Sequence, residues 1–364
     1  MNSKGNRFFL GGNTPKGFYS FFSEVMPLKD ANRIFCLKGG PGTGKSSLMK
    51  ELGKEYEDKG YNVEYFHCSS DSDSLDCVLL KDLNIAILDG TAPHTTDPKV
   101  PGAIDEIVNL GQHWNEEGIK KYKTDILSVQ NSITNNFNRA YKYFNAASII
   151  HEDWSSLNNE ALNLNKFNFL MEELKDKLYK STVSSMGSCR NLFITAFTPT
   201  GIVTFLDNLV DRCDTTYVLN GPPGTGKHEI LSYLRDEGLK RGFHIDVFHS
   251  PIVPEKIEHI YIQELNTSVI SSNELNQQLY HGHQVYMENY LNYDTINCLN
   301  EKIIDAKNCF YTLLNKGLSI LTEAKKAHDD IEKYYIPNMN FDEIKDVKKY
   351  IVDKITSIES SLSK

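Results

Sequence analysis

The sequence predicts an α/β fold written twice: two tandem domains, each a three-layer sandwich with a long helical-hairpin extension. Three observations carry that expectation. The runs "LKGGPGTGKSSLMKEL" (37–52) and "LNGPPGTGKHEILSYL" (219–234) nearly coincide, and the match continues without a gap from Gly39 against Gly221 to Leu83 against Leu265. Short apolar, β-branched runs alternate with helical spacing around both, as in a sheet layered between helices. Behind each lies a longer stretch whose apolar residues recur at steps of three and four, the seam of a long packed helix.

Taken in order, "FFLGGNTPKGFYSFF" (8–22) and "LFITAFTPTGIVTFL" (192–206) open the two copies with a strand and then a helix. "RIFCL" is a short apolar run ending in a Gly/Pro turn, and "SSLMKELGKEYEDKG" has helical spacing closed by a glycine. "NVEYF" and "NIAIL" have the apolar, β-branched character of buried parallel strands, with a shorter strand between them. The boundary falls in "STVSSMGSCR" (181–190), giving domains 1–184 and 185–364 with helical extensions at about 112–180 and 290–364. In the second extension Ile296, Leu299, Ile303, Ala306, Phe310, Leu313, Gly317, Ile320, Ala324, Ala327, Ile331 and Tyr334 trace a heptad seam. Ile119, Tyr122, Ile126, Val129, Ile133, Ala140, Ala147 and Trp154 trace a looser one in the first. The runs 169–178 and 341–355 supply return arms. At 1.5 Å per residue such a helix reaches roughly 55–60 Å, longer than the sheet it leaves. Each hairpin is therefore expected to cover its own sheet, to pack on its counterpart, or to capture a partner.

Composition narrows the classes. A chain of 364 residues, 40% hydrophobic and 24% charged, has room for two proper cores. A net charge of −9 argues against a general nucleic-acid or anionic-membrane binder, since both rely on basic surface. No run approaches the roughly 18–20 apolar residues needed to span a bilayer, and the N-terminal segment lacks an apolar signal core, so a soluble, cytoplasmic protein is expected. Seven scattered cysteines without a Cys-x-x-Cys pair suit reduced thiols better than a disulfide framework or a zinc site.

The chemistry is concentrated in the repeated loops. Gly39-x-x-x-x-Gly44-Lys45-Ser46, after a strand and before a helix, satisfies the phosphate-loop pattern. Glycines let backbone N–H groups turn toward a phosphate, and the helix start adds its positive dipole end. Lys45 reaches the β/γ phosphates and Ser46 ligates Mg²⁺. Gly39, Gly40, Pro41, Gly42, Thr43, Gly44, Lys45, Ser46 and Ser47 thus form a first candidate cradle, and Gly221, Gly224, Thr225, Gly226, Lys227 and His228 a second. Asp89, at the end of "NIAILDG", is the acid expected to hold the hydrated metal beside Ser46. Lys45, Asp89 and His94 are the candidate catalytic residues, with His94 the preferred base among His67, Asp71, Asp73, Asp97, Asp105 and Glu106. The second copy acts as an internal control: Ser46 becomes His228 and Asp89 becomes Ser271, whereas His67 keeps a counterpart in His249 and so reads as structural. "HED" (151–153) and "HDD" (328–330) read as solvated helix faces.

These residues resemble P-loop NTPases, and the wording "GGPGTGK" and "GPPGTGK" is closest to AAA+ and related ATPase loops. With "LDGTAPH", "TDPKVPGAIDEIVNLG" and the "TP-x-G" openings, the whole chain resembles a little-characterised bacterial family of tandem P-loop ATPases. The resemblance implies ATP binding with Mg²⁺. It departs from ring-forming relatives in lacking an Asp-Glu pair, since Gly90 follows Asp89, and in His228. Three readings follow. The first is Mg-dependent ATP hydrolysis in copy one, with copy two a regulatory or structural pseudo-site. The second is a phosphotransferase acting on a small molecule or nucleotide. The third is a non-hydrolysing, nucleotide-gated adaptor presenting its heptad helices to a protein partner or to a second copy of itself.

Overall fold

The computed structural model describes residues 5–92, 96–276 and 278–362. The first copy contributes strands β1 (Asn6–Phe8), β2 (Gly11–Thr14), β3 (Gly17–Ser20) and β4 (Arg33–Lys38), helix α1 (Lys45–Asp58), strands β5 (Val63–Cys68), β6 (Asp71–Leu80), β7 (Ile85–Asp89) and β8 (Asp105–Asn109), and helices α2 (Glu116–Lys120), α3 (Lys123–Asn159) and α4 (Leu164–Leu178). The second repeats the plan with β9 (Ser188–Leu192), β10 (Thr195–Thr198), β11 (Gly201–Thr204), α5 (Leu206–Val210), β12 (Thr215–Asn220), α6 (Lys227–Lys240), β13 (His244–His249), β14 (Ile257–Ile262), β15 (Thr267–Ser272), β16 (His283–Tyr286), α7 (Tyr293–Tyr335) and α8 (Phe341–Leu362).

Each copy builds a six-stranded sheet, in the orders β1-β5-β6-β7-β4-β8 and β9-β13-β14-β15-β12-β16. These sheets are mixed. β6 runs antiparallel to both β5 and β7, and β14 antiparallel to both β13 and β15, while β4 lies parallel between β7 and β8. The openings of the two copies meet in a third, four-stranded sheet, β11-β10-β2-β3. The aligned residues Phe9 and Phe193 exchange two backbone hydrogen bonds, of 2.9 and 3.0 Å, as they would across a pseudo-two-fold axis.

The layering differs from a sandwich per copy. Alternating strand residues put Phe35 and Leu37 under α1 and α8, but Ile34 and Cys36 into a core shared with Leu192, Val218, Phe248 and Ile270 of the other copy. The physical reason lies in the openings. Each copy has only a five-residue helix, α5, or the short turn Phe22–Glu24 with which to cover the inner face of its sheet. Apolar faces so thinly covered bury themselves against each other. Helices therefore lie outside, with both sheets inside.

A buried ionic triad crosses this seam. Arg190 donates to Glu64 at 2.7 and 3.2 Å and to Asp246 at 3.0 and 3.1 Å, and those two acids are equivalent residues of the repeat. Burial alone would push the Glu64 carboxyl up, but Arg190 and Lys81 outweigh it and hold the group well below the usual carboxylate range.

The long helices α3 and α7 pack on each other along Ala140, Phe144, Ala147, Trp154, Ala306, Phe310 and Leu314. Gly317 is part of that seam for a steric reason: a Cβ there would lie 2.4 Å from the Phe144 ring. Leu314 rather than Leu313 is fully buried, so the seam steps by four before it steps by three. Each hairpin then ends on the opposite copy. The α3–α4 elbow bonds the segment after β16, through Asn163 N–H to Tyr290 O at 2.8 Å and Asn292 N–H to Ala161 O at 2.7 Å. The α7–α8 elbow bonds the segment after β8, through Asn115 N–H to Asn338 O at 2.7 Å and Asn340 N–H to His113 O at 2.9 Å. α8 fills the outer face of the first sheet with Ile344, Ile351 and Ile355, and α4 fills the second with Phe167, Leu170 and Leu174. The hairpins are exchanged between copies. Among the described residues no helix is long and apolar enough to cross a membrane.

Candidate functional site

The first glycine loop joins β4 to α1. Gly42 and Gly44 take the left-handed conformations it requires, with φ of +68° and +86°. Thr43, fully buried, braces the turn by donating to Gly40 O at 2.9 Å. Lys45 folds back over the loop, donating to Gly39 O at 2.7 Å and Gly40 O at 2.9 Å, with Asp89 Oδ2 at 3.6 Å. Asp89 sits at the end of β7 in parallel register with Leu37 of β4, so the acid stands beside the loop that β4 feeds. Its other oxygen accepts from Thr91 N–H at 2.8 Å, and the Thr91 hydroxyl donates to Gly39 O at 2.9 Å. Ser46 Oγ accepts from Leu75 N–H at 3.0 Å, tying the first turn of α1 to β6. A hydroxyl and a carboxylate are the hard oxygen donors Mg²⁺ takes alongside phosphate and water. The described residues contain no group of three or more His, Cys, Asp or Glu placed to hold a metal.

The second loop has the same frame with different contents. Thr225 braces Pro222 O at 2.9 Å, and Lys227 donates to Gly221 O at 2.7 Å and Pro222 O at 2.5 Å. His228 takes over the bond made by Ser46: its Nδ1 accepts from Ile257 N–H at 2.9 Å. An accepting Nδ1 carries no proton, and burial, which pushes this imidazole's pKa down, agrees. Ser271 stands where Asp89 does in the first copy, so Lys227 has no equivalent neighbour there. Burial lowers the Lys227 pKa, against the pull of Glu274 and Glu258. A cavity of about 80 Å³ beside the loop is lined by Lys227, His228, Glu258 and Glu274, together with His151 and Ser155 of α3.

The exchanged hairpins cover the two loops unequally. Over the second, Asn158 donates to Pro223 O at 2.8 Å, and a Cβ on Gly224 would lie 1.8 Å from the Ser155 carbonyl oxygen. A Cβ on Gly226 would lie 2.3 Å from the Phe167 ring. Over the first, the neighbours are mainly side chains: Trp114 and Tyr335 at Gly40, Ile336 at Gly42 with its backbone nitrogen at 3.7 Å, and Phe341 at Gly44. Backbone and amide contacts lock the second loop; apolar side chains lid the first.

Other residues singled out in the sequence take local roles. His94 lies outside the described residues. His67 Nδ1 meets Ser72 O at 2.7 Å and His249 Nδ1 meets Pro254 O at 2.7 Å, and burial pushes both imidazoles down to about 4, which fits structural histidines. Asp71 bonds Ser74 and pairs with Lys325, Asp97 pairs with Lys38 at 3.1 Å, and Asp105 accepts from Lys99 and Val100 N–H. Asp73 is exposed, Glu106 pairs with Arg33 at 3.7 Å, and Ser47 is exposed on α1. His151 is not on a solvated face. It is buried and pairs with Glu274 at 2.5 Å, because α3 lies against the other copy rather than in water. His328 of "HDD" is partly exposed, as expected. The sequence also offered Asp76, buried directly after Leu75, with its alignment against Glu258 as the signal: both copies keep a buried acid at this position. The lid residues Trp114, Tyr335, Ile336 and Phe341 left no such signal, since they come from segments distant in sequence.

Comparison with known proteins adds one partial likeness. A protein-family model described as "Nephrocystin 3, N-terminal" matches residues 20–96, from the end of β3 through the first glycine loop to just past β7. No curated protein and no solved structure matches the chain.

Proposed function

We propose that the chain is an ATP-binding P-loop protein, built as two tandem P-loop units, that hydrolyses ATP with Mg²⁺ at the first glycine loop and uses the second as a structural or regulatory pseudo-site. The observation that carries this reading is the convergence of Lys45, Ser46 and Asp89 at one end of the β4–β7 strand pair, set against the replacement of two of the three in the second copy. Lys45 offsets charge on the transferring phosphoryl, and the backbone N–H groups of Gly42–Ser46 at the start of α1 hold the phosphates. Ser46 and Asp89 would hold Mg²⁺, which when bound neutralises charge on the β and γ phosphates. At the second loop that shell is not reproduced, because an imidazole nitrogen replaces the Ser46 hydroxyl oxygen and Ser271 brings no charge where the first copy has the Asp89 carboxylate.

The test is Mg-dependent phosphate release by Lys45→Ala and Lys227→Ala proteins side by side, with bound nucleotide counted per chain. Loss of turnover in Lys45→Ala with Lys227→Ala within a few-fold of the parent supports the assignment. Turnover unchanged in a folded Lys45→Ala protein defeats it, and ADP formation that requires an added acceptor makes the protein a phosphotransferase instead.

A further inference from the structure

The aromatic lid of the first loop is not used by the chemistry of Lys45, Ser46 and Asp89. A Cβ on Gly40 would lie 3.0 Å from the Trp114 ring and 3.4 Å from the Tyr335 ring. Those two rings stand with centroids 5.7 Å apart, tilted by 46°. Trp114 follows β8, the strand beside β4, and Tyr335 ends α7, so the pair brings one ring from each copy to the start of the loop. Both are half-buried.

The second copy again serves as a control. The bridge Trp114–Met339 has its counterpart in Leu291–Leu162, which aligns Trp114 with Leu291 and Tyr335 with Asn158. Gly40 becomes Pro222. An aliphatic side chain and an amide serve the elbow there, and Asn158 is engaged in bonding Pro223 O. At the positions of Trp114 and Tyr335 the second copy therefore does without aromatic rings, the ring against its loop being Phe167 at Gly226. This pair of rings occurs only beside the loop that also has Ser46 and Asp89.

We infer that Trp114 and Tyr335 form the stacking surface for the base of the nucleotide whose phosphates lie on Gly39–Ser46, so that the hairpin of the second copy completes the binding site of the first. This rests on the nucleotide-binding reading above and deepens it. Flat, polarisable rings beside a phosphate cradle suit a planar base, and stacking of that kind is commonly worth a factor of roughly 5 to 150 in affinity per base.

The experiment compares ADP with pyrophosphate, which shares the phosphates and lacks the base, by direct binding to the full chain. Trp114→Leu and Tyr335→Asn install the residues the second copy already has at these places, and Tyr335→Phe keeps the ring. Expected is about a tenfold or greater weakening of ADP in Trp114→Leu and Tyr335→Asn, unchanged pyrophosphate, and near-parental ADP binding in Tyr335→Phe. Equal weakening of both ligands, or of neither, overturns the inference while leaving phosphate binding intact. A parent protein that binds neither ligand overturns the nucleotide-binding reading itself. A second readout is independent of variant folding at the site. The chain has two tryptophans, so Trp154→Phe leaves Trp114 as the sole reporter. Its emission should change with ADP and stay still with pyrophosphate; equal responses to both also overturn the inference.

Discussion

Replacing Arg190 with Met tests whether the two copies are joined as a single folded body by the ionic triad at their seam. Arg190 is largely buried, with 15% of its side chain exposed, and its partners Glu64 and Asp246 are almost completely so, at 1% and 2%. Removing the guanidinium strands two buried carboxylates. Breaking a buried pair in this way costs about 3–5 kcal/mol, and Lys81, 3.5 Å from Glu64, moderates the loss on that side. Scaled by the unfolding entropy of a 364-residue chain, roughly 0.8 kcal/mol per kelvin, the midpoint should fall by about 4–7 °C. The pH dependence is more diagnostic. In the parent the Glu64 carboxyl is depressed by its partners, so its contribution is present above the unfolded value of about 4.5 and is lost as pH falls below it. In Arg190→Met the stranded acids are raised instead, so stability is lost as pH rises from about 4.5 toward neutrality. The gap between the proteins should be narrow near pH 4.5 and widest near pH 7, as measured by calorimetry across that range. Adding Glu64→Gln and Asp246→Asn should close most of it. A gap that does not vary with pH, or a midpoint that does not move, refutes the reasoning.

Further expectations follow from the same geometry. Gly224→Ala should destabilise severely, because its φ of +79° and a Cβ 1.8 Å from the Ser155 carbonyl leave no route to relaxation. Gly44→Ala, whose nearest neighbour is the Phe341 ring at 3.7 Å, should lose only the ~1–2 kcal/mol of left-handed strain in a thermal melt. Asp89→Asn should shift the magnesium titration of turnover to higher concentration at near-parental stability, and an unaltered titration would remove Asp89 from the metal's shell. His151→Ala should strand Glu274, whose carboxyl is held at about 2 by His151 and Lys227 against the upward push of burial. Its destabilisation in a melt should exceed that of His328→Ala by about 2 kcal/mol or more, since His328 is partly exposed.

The repeat and the strand–loop–helix order around Lys45 and Lys227 were legible because glycine, lysine and the flanking β-branched runs each have a local physical meaning. The sense of β6 was not. "DCVLL" is an apolar run in either direction, and nothing local separates a parallel neighbour from an antiparallel one. Exchange of the hairpins was illegible for a related reason. An a/d seam reports that α7 needs a partner along Ala306, Phe310 and Gly317, but is silent on which copy lies beneath the elbow. The same blindness misread His151, which is buried against Glu274 and Phe310 of the other copy. What could be read was local chemistry; what could not was the pairing of surfaces distant in sequence.

That pairing bears on why "GPPGTGK" persists in a copy that has lost Ser46 and Asp89. A cradle kept for phosphate needs its turning residues to face free space, and here they face protein. Gly224 admits the Ser155 carbonyl, Gly226 admits the Phe167 ring, and Pro223 O accepts from Asn158. Lys227 contributes positive charge near Glu274 and Glu258, two acids the cavity would otherwise leave less balanced. Pro223, Gly224 and Gly226 are thus held by contacts with α3 or α4, while Thr225 and Lys227 bond the loop's own carbonyls, so these positions are constrained without any ligand. The first loop differs in degree: its cover is mainly side chains, with the Ile336 backbone nitrogen 3.7 Å from a Cβ on Gly42, whereas the Ser155 backbone carbonyl over Gly224 can withdraw only if α3 itself moves. The second loop is fastened to α3 and α4, and the first is covered mainly by side chains. The residues over the first loop come from the segment after β8 and from the end of α7 into α8, and α7 packs along α3, the helix whose Ser155 and Asn158 lie over the second loop.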